Sequence, residues 1–286
     1  MNLFRLALRS FLFVAVTGPL LAQGTYTQID YPGAVQTYAA GINSAGDVVG
    51  MYLDSTPMQH GFLLRGGTFI TIDDPNGGWT FLMGMNDKGK IVGYGAIAFV
   101  YDIQSQRFTN IGIGNLPTSP QAINNFGTVV GYVVDSKSPK DLYETGFELS
   151  AQGQRKRIEV VGATSTLPWG ISDSGIVVGF GDLHGSYYDF IFNGQNYDLL
   201  GLGTAFRPVV LGINPQGTAL VGWYVPSGVL SGFLYQNKKV TTLQFPGAQG
   251  TVPYDVNSVG EVVGYFTGLD SRAHGFMWTP PADASH

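Results

Sequence analysis

The 286-residue sequence contains no cysteine. No disulfide can hold the folded chain together, and cysteine-based nucleophiles and zinc sites are excluded. Charge is also scarce: 12% of residues are charged, about half the usual share, so the helix formers Glu, Lys and Arg are few. The net charge of −5 becomes −7 once Arg5 and Arg9 are set aside, and no dense basic cluster follows. That balance argues against a nucleic-acid partner. Histidine occurs only four times, and neither HExxH nor GxSxG is present. "MNDKG" and "ISDSG" have fragments of calcium-loop composition but lack the further oxygen ligands and distal glutamate of an EF-hand. "GLGTAF" opens no helix, which removes a dinucleotide site. No cofactor and no metal are expected.

Glycine, by contrast, is abundant: 41 residues, about twice normal usage, beside 44% apolar residues. Short strands and tight turns are the structure such a composition favours. The opening "MNLFRLALRSFLFVAVTGPLLAQG" has two arginines, an apolar stretch from Phe11 to Val16 and a small-residue end. It reads as a secretory signal peptide over residues 1–22. A membrane anchor is the rival reading, but Gly18 and Pro19 break the run before spanning length. Residues 23–280 are expected to form one domain and residues 281–286 a C-terminal tail. The mature chain is expected to be a secreted or periplasmic monomer without a membrane span.

One phrase recurs six times: "GINSAGDVVG", "GMNDKGKIVG", "AINNFGTVVG", "GISDSGIVVG", "GINPQGTALVG" and "DVNSVGEVVG". Its leading polar residue falls at Asn43, Asn86, Asn124, Ser172, Asn214 and Asn257, with spacings of 43, 38, 48, 42 and 43. A period near 43 marks a repeated supersecondary unit. The polar residue can accept a bond from the backbone two residues on, and the glycine at the fourth position suits a positive φ, so the phrase is a hairpin turn. The fifth copy carries one extra residue, expected to be absorbed as a β-bulge. The glycine ending "VVG" leaves room for close packing.

A phenylalanine-centred strand follows in every unit, at Phe62, Phe99, Phe147, Phe190, Phe233 and Phe276. These rings are expected to be core wedges between sheets. A fourth strand follows only the first five. Residues 25–34, "TYTQIDYPGA", carry that missing pattern ahead of the first turn. The expected fold is therefore all-β, a six-bladed β-propeller of four-stranded blades closed by the N-terminal strand. An open β-solenoid is the alternative, and it leaves the N-terminal strand without a place.

The words "GINxxGxVVGYY" and "HGFLYxxGxFTxIDxPG", spread over residues 25–278, resemble the extracellular repeat family called HAF, after its His-Ala-Phe signature. Here that signature stands as "HGF" at 60–62 and 274–276 and as "IAF" at 97–99. The resemblance implies an exported bacterial protein and no catalytic assignment. Ser172, the short second unit and the absent HGF words of units three to five depart from the pattern.

In such a blade the repeated turns occupy one face and the variable connections the other. Scaffolds commonly hold binding residues in variable loops. Candidates on that face are Trp79, Lys140, Asp141, Tyr143, Asp182, His184, Tyr187, Phe206, Arg207, Asp270 and Arg272. For each, a solvated loop or local packing role competes with binding. His60 and His274 occupy equivalent positions, which favours a shared hydrogen-bonding role over a metal pair, and Asp30 and Asp73 are expected to cap turns. The chain is thus expected to be a non-catalytic scaffold binding an extracellular protein or glycan through its variable face. A secreted glycan-cleaving hydrolase or lyase, using carboxylates or His184, is the alternative.

Overall fold

The computed structural model describes residues 24–138, 141–199 and 208–282. The expected signal peptide, most of the expected tail, and the candidates Lys140, Phe206 and Arg207 lie outside these residues.

Among the described residues, the regular elements are strands apart from one short 3₁₀ turn, Pro226–Gly228. Strand β1 (Thr25–Ile29) precedes the first unit, formed by β2 (Gln36–Ile42), β3 (Val48–Leu53), β4 (Gln59–Arg65) and β5 (Thr68–Thr71). The second unit is β6 (Phe81–Met85), β7 (Lys90–Tyr94), β8 (Ala98–Asp102) and β9 (Arg107–Asn110). The third is β10 (Thr118–Ile123), β11 (Val129–Ser138), β12 (Asp141–Leu149) and β13 (Arg155–Ile158). The fourth is β14 (Ser165–Ile171), β15 (Val177–Leu183), β16 (Ser186–Phe192) and β17 (Tyr197–Leu199). The fifth is β18 (Val209–Ile213), β19 (Ala219–Tyr224), β20 (Ser231–Gln236) and β21 (Lys239–Leu243). The sixth has three strands, β22 (Gly250–Val256), β23 (Val262–Thr267) and β24 (Ala273–Thr279).

Within each unit neighbouring strands run antiparallel, and β1 lies antiparallel to β24 with Gln28 opposite Phe276. The sheets number four of four strands and one of eight, instead of six separate four-stranded sheets. The difference has a local cause. Strands β11 and β12 form a long hairpin where the sequence suggested a loop, and Glu144 of β12 makes a single parallel pairing with Ser165 of β14. That one pairing joins the third and fourth units.

The repeated phrase folds as a turn because its polar side chain stands in for backbone. Asn43 Oδ1 accepts hydrogen bonds from the amides of Ala45 (3.0 Å) and Asp47 (2.9 Å), and Asn86, Asn124 and Asn257 repeat the pattern. The fourth-position glycines hold φ between 72° and 85°, where a Cβ is disfavoured. The extra residue of the fifth copy sits in the turn, not in a strand bulge: the Asn214 amide donates to the Ala219 carbonyl, five residues on, whereas Asn43 donates to Asp47, four on.

Bulges occur elsewhere, once in every first strand. The register slips between Ala39 and Gly41, Leu82 and Gly84, Pro120 and Ala122, Pro168 and Gly170, Val210 and Gly212, and Pro253 and Asp255. Each slip leaves one residue unpaired: Ala40, Met83, Gln121, Trp169, Leu211 and Tyr254. An unpaired bulge residue turns out of the regular pleat, which is how these six become functionally interesting.

The core is divided into six apolar clusters, each holding one of the repeated phenylalanines. None of those rings exceeds 4% exposure. Each cluster draws on two neighbouring units, and one combines Val263 of the sixth with Ile42, Val48 and Phe62 of the first. Fully burying a side chain of this size contributes roughly 2–3 kcal/mol, so the seams between sheets carry much of the stability. The architecture is an all-β propeller.

Candidate functional site

The six first strands lie next to one another: each of β2, β6, β10, β14 and β18 contacts the following one, and β22 contacts β2. Between them is a cavity of about 50 Å³. All six bulge residues line it, followed toward the turn face by Ile42, Met85, Ile123, Ile171, Ile213 and Val256, then by Ser44, Asp87, Asn125, Asp173 and Pro215.

The turn-face mouth is cross-linked. Ser44 donates through its amide and hydroxyl to Asp87 (2.7 and 3.0 Å), and the Asp87 amide donates to Asn125 Oδ1 (2.9 Å). Asn125 Nδ2 donates to both Asp87 Oδ2 (2.9 Å) and Asp173 Oδ2 (3.0 Å), while the Asp173 amide donates to the Pro215 carbonyl (2.9 Å). Beneath this rim the turn asparagines bind across units: Asn86 to the Asn124 carbonyl, Asn124 to that of Ser172, and Asn257 to that of Asn43. At these three positions the asparagine makes its own turn and ties neighbouring units together, whereas Asn43 and Asn214 donate within their own turns, to Asp47 and Thr218.

On the side of the variable connections, aromatic rings converge. The residue after each "VVG" glycine is Tyr94, Tyr132, Phe180, Trp223 or Tyr265, with Met51 the exception. Tyr265 meets Tyr38 edge-on at 5.0 Å and Tyr254 at 5.7 Å; Trp169 lies parallel to Tyr254 at 6.2 Å and stacks on Phe180 at 5.9 Å; Phe81 stacks on Tyr94 at 4.9 Å. Most of these rings are half-buried, giving a collar with apolar faces and polar tips.

The candidates named from sequence do not belong to this collar. Trp79 stands on the connection before β6, 61% exposed, and Tyr187 on β16 is 75% exposed. Tyr143 lies on β12 beside a hollow shared with Val133, Asp135, Thr145, Arg157 and Glu159, and Asp141 begins that strand, paired with Ser138. The segment around His184 is a two-residue hairpin turn in place of the expected longer loop: His184 and Gly185 take φ of 54° and 82° between the paired Leu183 and Ser186. Asp182 accepts from Thr164 Oγ1 (2.5 Å) and the Gly185 amide (2.9 Å), so it holds that turn, and those bonds lower its pKa. Asp270 accepts from the Arg272 amide (3.1 Å) and pairs with the Arg272 guanidinium at 4.0 Å. Sequence reasoning missed the bulge residues, the collar and Asp255. A signal for the bulge residues exists: they occupy the position three before the turn asparagine, where an otherwise constant phrase reads Ala, Met, Gln, Trp, Leu and Tyr.

His60 and His274 share a hydrogen-bonding role, but Asp30 and Asp73 serve them instead of simply capping turns. His60 Nδ1 meets Asp73 at 2.8 Å and its Nε2 meets Asp54 at 3.4 Å; His274 Nδ1 meets Asp30 at 3.0 Å and its Nε2 meets Asp270 at 3.4 Å. Each imidazole also stacks on an aromatic, Tyr52 or Phe266. Both histidines and both carboxylates are thus engaged in pairs.

Burial opposes the charged form of each histidine, but the paired carboxylates outweigh it and raise both pKa values. Burial also pushes Asp189 and Asp255 up to about 7, against the pull of backbone amides. All four groups hold protons more tightly when folded. The acids contribute less as pH rises from about 4 toward 7, and the histidines lose their contribution above about 6.5. Below about 4 the sign reverses, because backbone and side-chain donors hold Asp54 near about 2 and Lys90 chiefly holds Asp102 there. The urea midpoint is therefore expected to fall between about pH 5 and pH 8, with Asp189→Asn flattening the first part and His274→Gln the second. A midpoint that rises over this interval contradicts the assignment.

No family model matches the chain, and no curated protein matches it. Its fold resembles solved structures. TolB from Acinetobacter baumannii is 13% identical with a TM-score of 0.55, over 82% of this chain and 66% of that one, so the chain spans just under two-thirds of that protein. A luciferin-regenerating enzyme is 12% identical with a TM-score of 0.55, over 91% and 96% of the two chains. An oligogalacturonate lyase in complex with manganese is 11% identical with a TM-score of 0.54, over 92% and 99%. Likeness at these identities establishes the propeller fold alone. Among the described residues, no helix is long and apolar enough to cross a membrane.

Proposed function

We propose that the chain is an exported, non-catalytic member of the HAF repeat family, a six-bladed closed propeller that binds a protein or glycan through its variable face. Six blades follow from reading the eight-stranded sheet as two units joined by the lone Glu144 to Ser165 pairing, since β10–β13 and β14–β17 each repeat the antiparallel order of the other units. Closure is supported by the pairing of β1 with β24, by the contact of β22 with β2 and by the Asn257 bond to the Asn43 carbonyl.

The observation that carries the binding reading is where exposed apolar surface lies. Among the described residues, nine of the thirteen large apolar side chains exposed to solvent stand at variable connections or the hairpin ends beside them; Phe126 and Val259 stand on the turn face. Trp79, Tyr187, Val161 and Leu269 are the most exposed of the larger group. Concentrated apolar surface on one face marks an interaction site more strongly than scattered residues do. Amphipathic rings suit sugars and protein side chains alike.

The test is binding of the purified chain to arrayed glycans and to isolated extracellular proteins. Saturable binding is expected for a partner of one class, weakened about tenfold or more by Trp79→Ala with Tyr187→Ala and unchanged by Phe126→Ala on the opposite face. Equal loss from both faces, absence of binding across both panels, or turnover of a polysaccharide overturns the reading.

A further inference from the structure

Among the described residues, the cavity between the first strands is lined by three carboxylates, Asp87, Asp173 and Asp255, and by no lysine, arginine or histidine. Asp255 departs from the repeat. It stands where the other units have Gly41, Gly84, Ala122, Gly170 and Gly212, positions at which backbones of adjacent units nearly touch. Its carboxylate accepts from the amides of Ile42 (3.1 Å) and Val256 (2.8 Å), and among the described residues no cationic side chain is paired with it. A carboxylate so placed is costly unless something neutralises it.

Two residues that line the same cavity carry buried polar atoms without a partner. Gln121 is only 4% exposed and its Oε1 has no hydrogen-bond partner; the buried Trp169 Nε1 has none either. Both residues line the cavity, as does Tyr254, whose ring lies parallel to that of Trp169. The site therefore offers carboxylates, a free acceptor, a free donor and two aromatic rings. An ammonium group is attracted to both carboxylates and ring faces, and its N–H groups suit Gln121 Oε1. An oxygen on the same ligand would accept from Trp169 Nε1–H.

We propose that this cavity binds a small organic amine bearing a hydroxyl or carbonyl oxygen, of ethanolamine size, entering from the turn face. A bare inorganic cation leaves the Trp169 donor unused, and a neutral polyol leaves Asp255 without a counter-charge. Size sets the limit: a water needs roughly 10–15 Å³ of such space, so about 50 Å³ admits a few heavy atoms and not a sugar ring. The cross-linked rim of Ser44, Asp87, Asn125 and Asp173 holds the mouth in one geometry, limiting the ordering cost of binding. The titratable groups around Asp255 are Asp87 and Asp173 along the cavity and Tyr254 beside it, with Tyr38, Tyr94 and Tyr265 behind Tyr254. None is basic, so affinity rises as Asp255 ionises between about pH 6 and pH 8. The site shares Trp169 and Tyr254 with the collar but includes neither Trp79 nor Tyr187, so it does not depend on the function proposed for the variable face.

The test is calorimetric titration of the full chain with ethanolamine hydrochloride at both pH values, with ethylammonium and potassium chlorides as comparators. Saturable binding is expected, tighter at the higher pH, weaker for ethylammonium, and reduced about tenfold by Asp255→Asn or Gln121→Leu. Asp255→Asn keeps an acceptor oxygen for the Ile42 amide, and near-ultraviolet dichroism reports whether each variant stays folded. Absence of saturable heat at either pH, equal binding of potassium, or affinity unchanged in both folded variants overturns the proposal.

Discussion

Gly222→Ala is expected to cost about 3 kcal/mol or more, placing it among the most damaging single-methyl additions available to this chain. The reason is distance, not backbone conformation. A Cβ at Gly222 would lie 1.9 Å from the Val209 carbonyl oxygen and 2.9 Å from its carbon. Both atoms belong to the backbone of the paired strand, which cannot rotate aside, so relief requires β18 and β19 to separate and their ladder to weaken. The same approach recurs at Gly50, 1.9 Å from the Tyr38 oxygen, and at Gly179, 2.0 Å from that of Leu167. Gly46→Ala is the control. That residue has φ of 79° but its nearest obstacle is a Glu261 side-chain oxygen at 3.7 Å, so the substitution carries only the left-handed penalty of about 1–2 kcal/mol. Urea unfolding of both variants separates the effects. Similar midpoints for the two would show that strand spacing does not set the requirement for glycine.

This distinction explains what was legible in the sequence. Repetition carries information about whatever every unit must do alike: the turn asparagine, its fourth-position glycine, the "VVG" glycine and the phenylalanine wedge all appeared in place because six copies face the same constraint. The long β11–β12 hairpin was hidden, since "DSKSPKDL" reads as polar loop and only strand pairing extends it. The His60–Asp73 and His274–Asp30 partnerships were half legible: each residue could be placed at its strand end, but a side-chain bond between neighbouring strands has no local signature. The cavity was harder still. Gln121, Trp169 and Tyr254 come from three units, and what unites them is a bulge that turns one residue per strand inward. Their variability within a constant phrase was visible; their convergence belongs to tertiary structure. Asp255 illustrates the point, because its significance lies in replacing a glycine-like position while bonding to Ile42, 213 residues away in sequence.

Removal of residues 24–30 is expected to lower stability by something on the order of 5 kcal/mol, a fall in midpoint temperature of about 10–20 °C for a chain of this size. Strand β1 pairs with β24 at five positions, from Thr25 opposite Thr279 to Ile29 opposite Gly275. Its side chains serve two seams at once: Tyr26 packs on the cluster of Phe276 and Trp278, while Ile29 belongs to the cluster of Phe62 and Val263. Asp30 adds its bond to His274. Without the segment, β24 becomes an exposed edge bearing "HGFMW", a template for association between chains. The truncated protein should therefore show both a lower midpoint and concentration-dependent aggregation. Transplanting residues 24–30 to follow Pro280 through a short turn separates loss of this strand from loss of any seven residues, because the antiparallel register then permits an ordinary hairpin with β24. Recovery of the midpoint in that rearranged chain is the expected outcome. A truncation that leaves the midpoint unchanged, or a transplanted strand that fails to restore it, would mean that the sixth unit does not depend on the chain's beginning and would count against the proposed closure.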